Sequence, residues 1–259
     1  MSPRARYGPA PLTTLTVMAE LVTVVLIHSV AGSPAQWAPQ LEHLRPHYDA
    51  VAVTLPGHAG ADGQDAYTVE ALADYVLRQV EGRDRLVLVG HSGGALVAAH
   101  LAAAHPDRVA GLLLVDPGTD GRAFPAEMAA PMLAALRSEA YPHVAAEHWS
   151  GMLEGATEAT RGLAMSDLRA TAPDVLPDFL EAMGTYDAVT PIRSFASSHP
   201  VGAVVTPMSE GSDALVGSSD AVDVARAEGT SHWVQLDRPE AVNGALDRLL
   251  ARVSRPGRP

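Results

Sequence analysis

The run "RLVLVGHSGGALVAAHLAAAH", residues 85–105, places the tightest constraint on how this chain can fold. Leu86 to Val89 read as a strand buried on both faces, the profile of a parallel sheet. From Gly93 onward the small and aliphatic residues read as a helix. Only Gly90-His91-Ser92 stands between the two, so the chain must turn sharply from strand to helix. Side chains at Gly90 and Gly94 would collide with the neighbouring elements, which leaves Ser92 on a strained turn at the N-terminus of the helix. The partial positive charge of that helix end favours an anion developing beside Ser92.

The segments around this crossing repeat the same alternation. Val22 to Ile27 form an apolar run ending in His28 and Ser29, followed by a helix around Trp37 to Leu44 and a strand from Asp49 to Leu55 that stops at Pro56-Gly57. Val69, Leu72, Ala73, Val76 and Val80 recur at helical spacing, and "VAGLLLVD" supplies a further strand ending at Asp116. Strands alternating with helices predict an α/β fold with a doubly wound, mostly parallel sheet. From Thr119 to Thr190 the pattern is helical, with Phe124, Met128, Met132, Leu133, Trp149, Met152 and Met165 recurring through it. The expected organisation is an N-terminal extension (1–19), a core (20–118 and 191–255), an inserted helical cap (119–190) and a tail (256–259). The sheet resumes at Val201 to Val205, continues with "AVDVARAEG" and closes with the helix "RPEAVNGALDRLLARV".

Composition removes whole classes of chemistry. The 259 residues include no cysteine, so disulfides, thiolate metal sites and cysteine nucleophiles are excluded. All 18 basic residues are arginine, which excludes Schiff-base lysines and phosphate loops of the Gly-Lys-Ser type. A formal net charge of -12 argues against nucleic acid, whose phosphates require a basic footprint. The expected partner is a small-molecule substrate, with a homodimer left open, no membrane partner and no cofactor. Arg4 and Arg6 ahead of an apolar run resemble a signal peptide, but Glu20 interrupts that run and "VTVVLIHS" serves better as a core strand. A cytoplasmic location is therefore the expectation.

Gly90-His91-Ser92-Gly93-Gly94 fits G-x-S-x-G, with the strand before and the helix after it that such a nucleophile turn needs. A serine hydroxyl attacks poorly until a base takes its proton. His232, in "AEGTSHWVQLDRPE" after the last strand, is the candidate base, and the chain order of serine, acid and histidine suits it. Three carboxylates compete to orient it. Asp116 leaves the strand after the serine helix, while Glu210 and Asp213 follow the strand "VGAVV". The N–H groups of Gly93 and of Val30, in the loop "IHSVAGSPAQW", are the candidate donors to an oxyanion.

With these residues in order, the chain resembles the α/β-hydrolase superfamily over about residues 20–255. The resemblance rests on His28 in a His-Gly-like loop, "LPGHAG", "GHSGG", "LLLVD" and "GTSHWVQLDRPE". It implies a cofactor-independent serine hydrolase of esters or lactones, with a canopy over the site whose apolar residues, Trp149 among them, would face substrate. Ser29 stands where most of the superfamily has glycine. Plant hydroxynitrile lyases carry a small hydroxyl residue there, so Ser29 is a candidate substrate contact, yet they also have a lysine where Trp233 follows His232. Pro207 stands where the loop after "VGAVV" often has glycine, which keeps the choice of acid open. Lactonases of the mycotoxin-cleaving type take their acid from the position of Asp116. Thioester hydrolysis, C–C hydrolysis, hydroxynitrile lysis and a slow-turnover receptor are the alternatives consistent with the same groups.

Overall fold

The structure is a computed structural model that describes residues 22–118, 120, 126–209, 215–218 and 220–254. Strands β1 (Thr23–Ile27), β2 (Asp49–Val53), β3 (Leu86–His91), β4 (Val109–Val115), β5 (Val201–Val205) and β6 (Val222–Arg226) form one sheet in the order β2-β1-β3-β4-β5-β6. All five pairings are parallel. Sequence explains the order of burial. The runs TVVLI, LVLVGH and VGAVV are buried at every position in β1, β3 and β5, while β2 and β6 expose Asp49, Asp223 and Arg226 at the sheet edges.

Alternate side chains of each interior strand enter different cores. Val25 and Ile27 pack with Leu72 and Val76 of α2 (Val69–Gln79), Leu96 of α3 (Gly93–Ala104) and Phe195 of α8 (Val189–Ala196). Val24 and Leu26 pack on the opposite face with Leu44 of α1 (Ala38–Leu44) and with Leu246 and Leu250 of α10 (Pro239–Val253). The sheet is therefore wound on both faces, as the alternation predicts. Between β4 and β5 lie α4 (Ala126–Leu136), α5 (Tyr141–Met152), α6 (Glu158–Ala170), α7 (Val175–Thr185) and α8, and a single turn, α9 (Val234–Asp237), precedes α10. The first four of these lie within the inserted stretch 119–190. α8 begins just inside its end and packs against α3.

Two of the element boundaries that differ from the sequence reading do so for a visible reason. The second strand stops at Val53 instead of Leu55, because the Leu55 N–H donates to a histidine side chain, His28 Nε2 at 3.1 Å, and no longer to a neighbouring strand. Pro34–Trp37 form a 3-10 turn, so α1 starts at Ala38, one residue later than the apolar pattern suggests. The N-terminal extension and the C-terminal tail lie outside the described residues.

The chain runs from β1 outward to β2 and then returns to the other side of β1 to form β3. This reversal opens a crevice at the carboxyl ends of β1 and β3, where parallel α/β sheets bind their ligands. Two buried histidines knit its rim. The Leu55 N–H bonds His28 Nε2, whose ring donates from Nδ1 to the Ser29 carbonyl at 2.7 Å. The Ala31 N–H bonds His58 Nε2 at 3.0 Å, and that ring donates from Nδ1 to the Pro56 carbonyl at 2.8 Å. Each ring accepts at one nitrogen and donates at the other, so each must be neutral.

Burial, with the neighbouring His58, lowers the His28 pKa to about 3, and burial lowers that of His58 to about 4. The unfolded chain takes up protons at these rings from about pH 6.5 downward, and the folded chain does not until the pH approaches those depressed values. Stability should therefore fall with falling pH through this window, on the order of 1 kcal/mol per pH unit for each ring. Urea midpoints measured from neutral pH down to about pH 4 should show a steep decline, and a shallower one in His58→Gln, which keeps an acceptor but cannot titrate. A flat midpoint across that range would contradict the neutral-ring assignment.

Candidate active site

Ser92 sits between β3 and α3 with φ 52° and ψ -118°, outside the regions open to ordinary L-residues. Backbone contact makes this turn possible only with glycine on either side. A Cβ on Gly90 would lie 2.2 Å from the Gly94 carbonyl oxygen, and one on Gly94 would lie 2.4 Å from the His28 carbonyl oxygen and 2.6 Å from that of Ile27. The Ser92 N–H donates to the Val115 carbonyl at 2.9 Å, so the turn is also tied to the end of β4. The Gly93 N–H, at the first residue of α3, has no partner within the helix.

Asp116 follows β4 with φ 41° and is completely buried. Its N–H donates to the Val204 carbonyl at 2.7 Å, which docks it against β5. Its carboxylate accepts from four groups. His232 Nδ1 donates to Oδ2 at 2.6 Å, Thr206 Oγ1 donates to Oδ2 at 3.0 Å, the Thr206 N–H donates to Oδ1 at 2.9 Å, and Ser209 Oγ donates to Oδ1. Burial pushes its pKa up, but the bond and charge of His232, with the Ser209 and Thr206 donors, outweigh this and hold it below the ordinary carboxylate value.

The sequence missed Thr206 and Ser209. The loop "TPMSEGSD" drew attention for its carboxylates, whereas its described part supplies the donors that keep Asp116 ionised. Its hydroxyls and backbone N–H at the end of a buried strand were the available signal. Glu210 and Asp213 lie outside the described residues.

His232 is held from several sides. Its N–H donates to the Met152 carbonyl of α5 at 3.2 Å, and its own carbonyl accepts from His91 Nε2 at 2.9 Å. The His91 and His232 rings lie 4.7 Å apart. His91, kept at a pKa of about 3 first by burial and then by the neighbouring His232, presents a neutral ring there. Asp237 accepts from Ser231 N–H at 3.1 Å and Ser231 Oγ at 2.5 Å, fixing the preceding turn. With His232 Nδ1 committed to Asp116, Nε2 is the nitrogen left for proton transfer. Neither it nor the Ser92 hydroxyl is bonded to another described residue, and such contacts commonly tighten only when substrate binds.

The loop after β1 presents three consecutive N–H groups. Ala31 donates to His58 Nε2, and Gly32 donates to the Ser29 carbonyl at 3.1 Å. The Val30 N–H alone among them has no acceptor among the described residues. Ser29 is 5% exposed and engages the loop through its carbonyl. Trp149 is 2% exposed on α5 and packs 6.4 Å from the Trp233 ring, behind His232. Over Gly93, a Cβ would meet the Phe179 ring, with Cε1 at 2.9 Å and Cζ at 3.0 Å, and then Met183 Sδ at 3.1 Å, so α7 lies against the turn. Among the described residues, no group of three or more His, Asp or Glu side chains is placed to hold a metal ion, and no helix is long and apolar enough to cross a membrane.

Comparison with known proteins matches the alpha/beta hydrolase family model over residues 24–245. The chain is 37% identical over 115 residues to the lipase LipV of Mycobacterium tuberculosis, covering 43% of this chain and 40% of that protein. It is 34% identical over 128 residues to a pimeloyl-acyl-carrier-protein methyl ester esterase of Neisseria meningitidis, covering 47% of this chain and 49% of the relative. In each case the match spans less than half of the curated relative. Among solved structures, an enol-lactonase from Burkholderia xenovorans superposes with a TM-score of 0.73 at 20% identity, covering 89% of this chain and 92% of that one. A thermophilic esterase from Thermogutta terrifontis gives 0.75 at 20% identity, covering 90% and 91%. With its sheet order and strand-to-helix serine turn already described, the family match settles the kinship: this chain belongs to the alpha/beta hydrolase family.

Proposed function

We propose that this chain is a serine hydrolase of small, apolar carboxylic esters or lactones. The observation that carries the reading is the 2.6 Å bond from His232 Nδ1 to the buried, fully hydrogen-bonded Asp116 beside Ser92. Asp116 holds the imidazole with its proton on Nδ1 and stabilises the cation that forms when Nε2 takes the Ser92 proton. Ser92 Oγ attacks the carbonyl carbon, and the carbonyl oxygen becomes an anion held by the Val30 and Gly93 N–H groups. Collapse of the tetrahedral intermediate expels the alcohol, which takes its proton from His232. Water, activated by the same Nε2, then releases the acid.

Loss of one such donor costs about 3 kcal/mol in characterised enzymes, so the uncommitted Val30 N–H matters nearly as much as the base. The helices α4 to α7 act in this reading as a cap. Phe179 and Met183 supply an apolar roof above the nucleophile, which suits an uncharged acyl group. The relatives named as a lipase, a methyl ester esterase, an enol-lactonase and an esterase lend support to the same reaction class.

Ser92→Ala should reduce turnover of p-nitrophenyl acetate by about 10⁴-fold or more and abolish the mass increase that a serine-reactive phosphonate produces on the parent protein. Retention of either property would exclude Ser92 as the nucleophile. Asp116→Asn should retain the fold by circular dichroism and lower kcat on the order of 10⁴-fold, because an amide no longer enforces the Nδ1–H tautomer. A D116N variant as active as the parent would transfer the acid role to another carboxylate.

A further inference from the structure

The reaction just described assigns no task to His28 and His58, although both rings are fully buried and both lie against the loop that carries Val30. Their bonds are reciprocal. His28, after β1, reaches the segment after β2 at Leu55, and His58, after β2, reaches back to Ala31. The ring centroids lie 5.0 Å apart, with the planes tilted by 58°.

A trans peptide unit is planar and rigid, so holding its carbonyl also fixes the direction of its N–H. The Ser29 carbonyl and the Val30 N–H share one such unit. That carbonyl accepts from His28 Nδ1 at 2.7 Å and from the Gly32 N–H at 3.1 Å. The next unit joins Val30 to Ala31, and its N–H is held by His58 Nε2 at 3.0 Å. The peptide planes on either side of Val30 are thus each pinned by a different histidine, and Ala31 is kept at φ 51°, a conformation that disfavours a residue with a Cβ.

We infer that His28 and His58 form a clasp that positions the oxyanion loop, aiming the Val30 N–H into the site while consuming the N–H of Ala31. This rests on the hydrolase reading above and assigns that site two positioning residues, neither of which touches substrate. Histidine suits the task because one rigid ring donates and accepts at opposite edges, which aliphatic or carboxylate side chains cannot do. The low pKa values of both rings agree with the neutral state that the geometry demands.

The test pairs kinetics with spectroscopy. His58→Leu removes the acceptor for Ala31, whereas His58→Gln can still offer a carbonyl oxygen. Against p-nitrophenyl acetate, the leucine variant should lose about 10- to 100-fold in kcat with KM within about twofold of the parent, and glutamine should recover most of that loss. Binding of a trifluoromethyl ketone, whose serine adduct places an oxyanion against the same donors, should weaken by a factor similar to the loss in kcat/KM.

A folded leucine variant with unchanged kcat, a loss confined to KM, or a glutamine variant as impaired as leucine would each overturn the clasp. If the leucine variant does not fold, ¹⁵N spectra of the parent decide the matter. Both rings should be Nδ1-protonated and neutral at neutral pH, and an Nε2-protonated or charged ring would refute the assignment. A parent protein that neither turns over esters nor is labelled at Ser92 would instead overturn the hydrolase reading, an outcome distinct from an active parent indifferent to position 58.

Discussion

The contact between the N-terminus of α3 and the end of β1 governs the rest of the structure. A Cβ on Gly94 would approach the His28 carbonyl oxygen to 2.4 Å, so the helix can lie where it does only because that position has no side chain. The approach fixes the start of α3, and with it Ser92 and Gly93, against the segment after β1 that leads to Val30. In the proposed reaction the Gly93 and Val30 N–H groups receive the oxyanion, and such stabilisation depends on donors already in place before charge develops.

Three of the four described non-glycine residues with positive φ lie at this site: Ala31, Ser92 and Asp116. Such conformations cost on the order of 1–3 kcal/mol each and persist only when their surroundings over-determine them. Here each is pinned by hydrogen bonds from a different part of the chain. His58 holds Ala31, the Val115 carbonyl holds the Ser92 N–H, and the Val204 carbonyl holds the Asp116 N–H. The carboxylate of Asp116 has four donors, and hydrogen bonds to a charged group contribute about 1.5–3 kcal/mol apiece, enough to offset both the strain and much of its burial.

The helices between β4 and β5 are fastened to the core on both flanks of the site. Asp167 of α6 accepts from Ser33 Oγ at 2.9 Å and Gln36 Nε2 at 2.7 Å, next to the loop that carries Val30. On the other flank, Asp237 accepts from the Thr157 N–H at 3.1 Å, and the Met152 carbonyl accepts from the N–H of His232 itself. These helices are thus hydrogen-bonded both beside the Val30 loop and to the backbone of His232. Trp149 belongs to this framework: an indole 2% exposed and packed beside Trp233 supports the turn that presents His232.

How much of this was legible beforehand depended on how local each feature is. The parallel sheet, the turn at Ser92 and the candidacy of His232 follow from periodicity, glycine spacing and chain order, all properties of short segments and their succession. The sequence by itself determined that Ser92 stands on a tight strand-to-helix turn, because only Gly90-His91-Ser92 separates a buried-strand pattern from a helical one. Only the tertiary structure decided that Asp116 meets His232, that Thr206 and Ser209 supply its remaining donors, and that the Val30 N–H stays open while those of Ala31 and Gly32 are taken. These are choices among hydrogen-bond partners on segments far apart in the chain. A difference of an ångström, set by how β1, β4 and β5 lie side by side, selects one partner over another, and no local pattern of residues carries that distance.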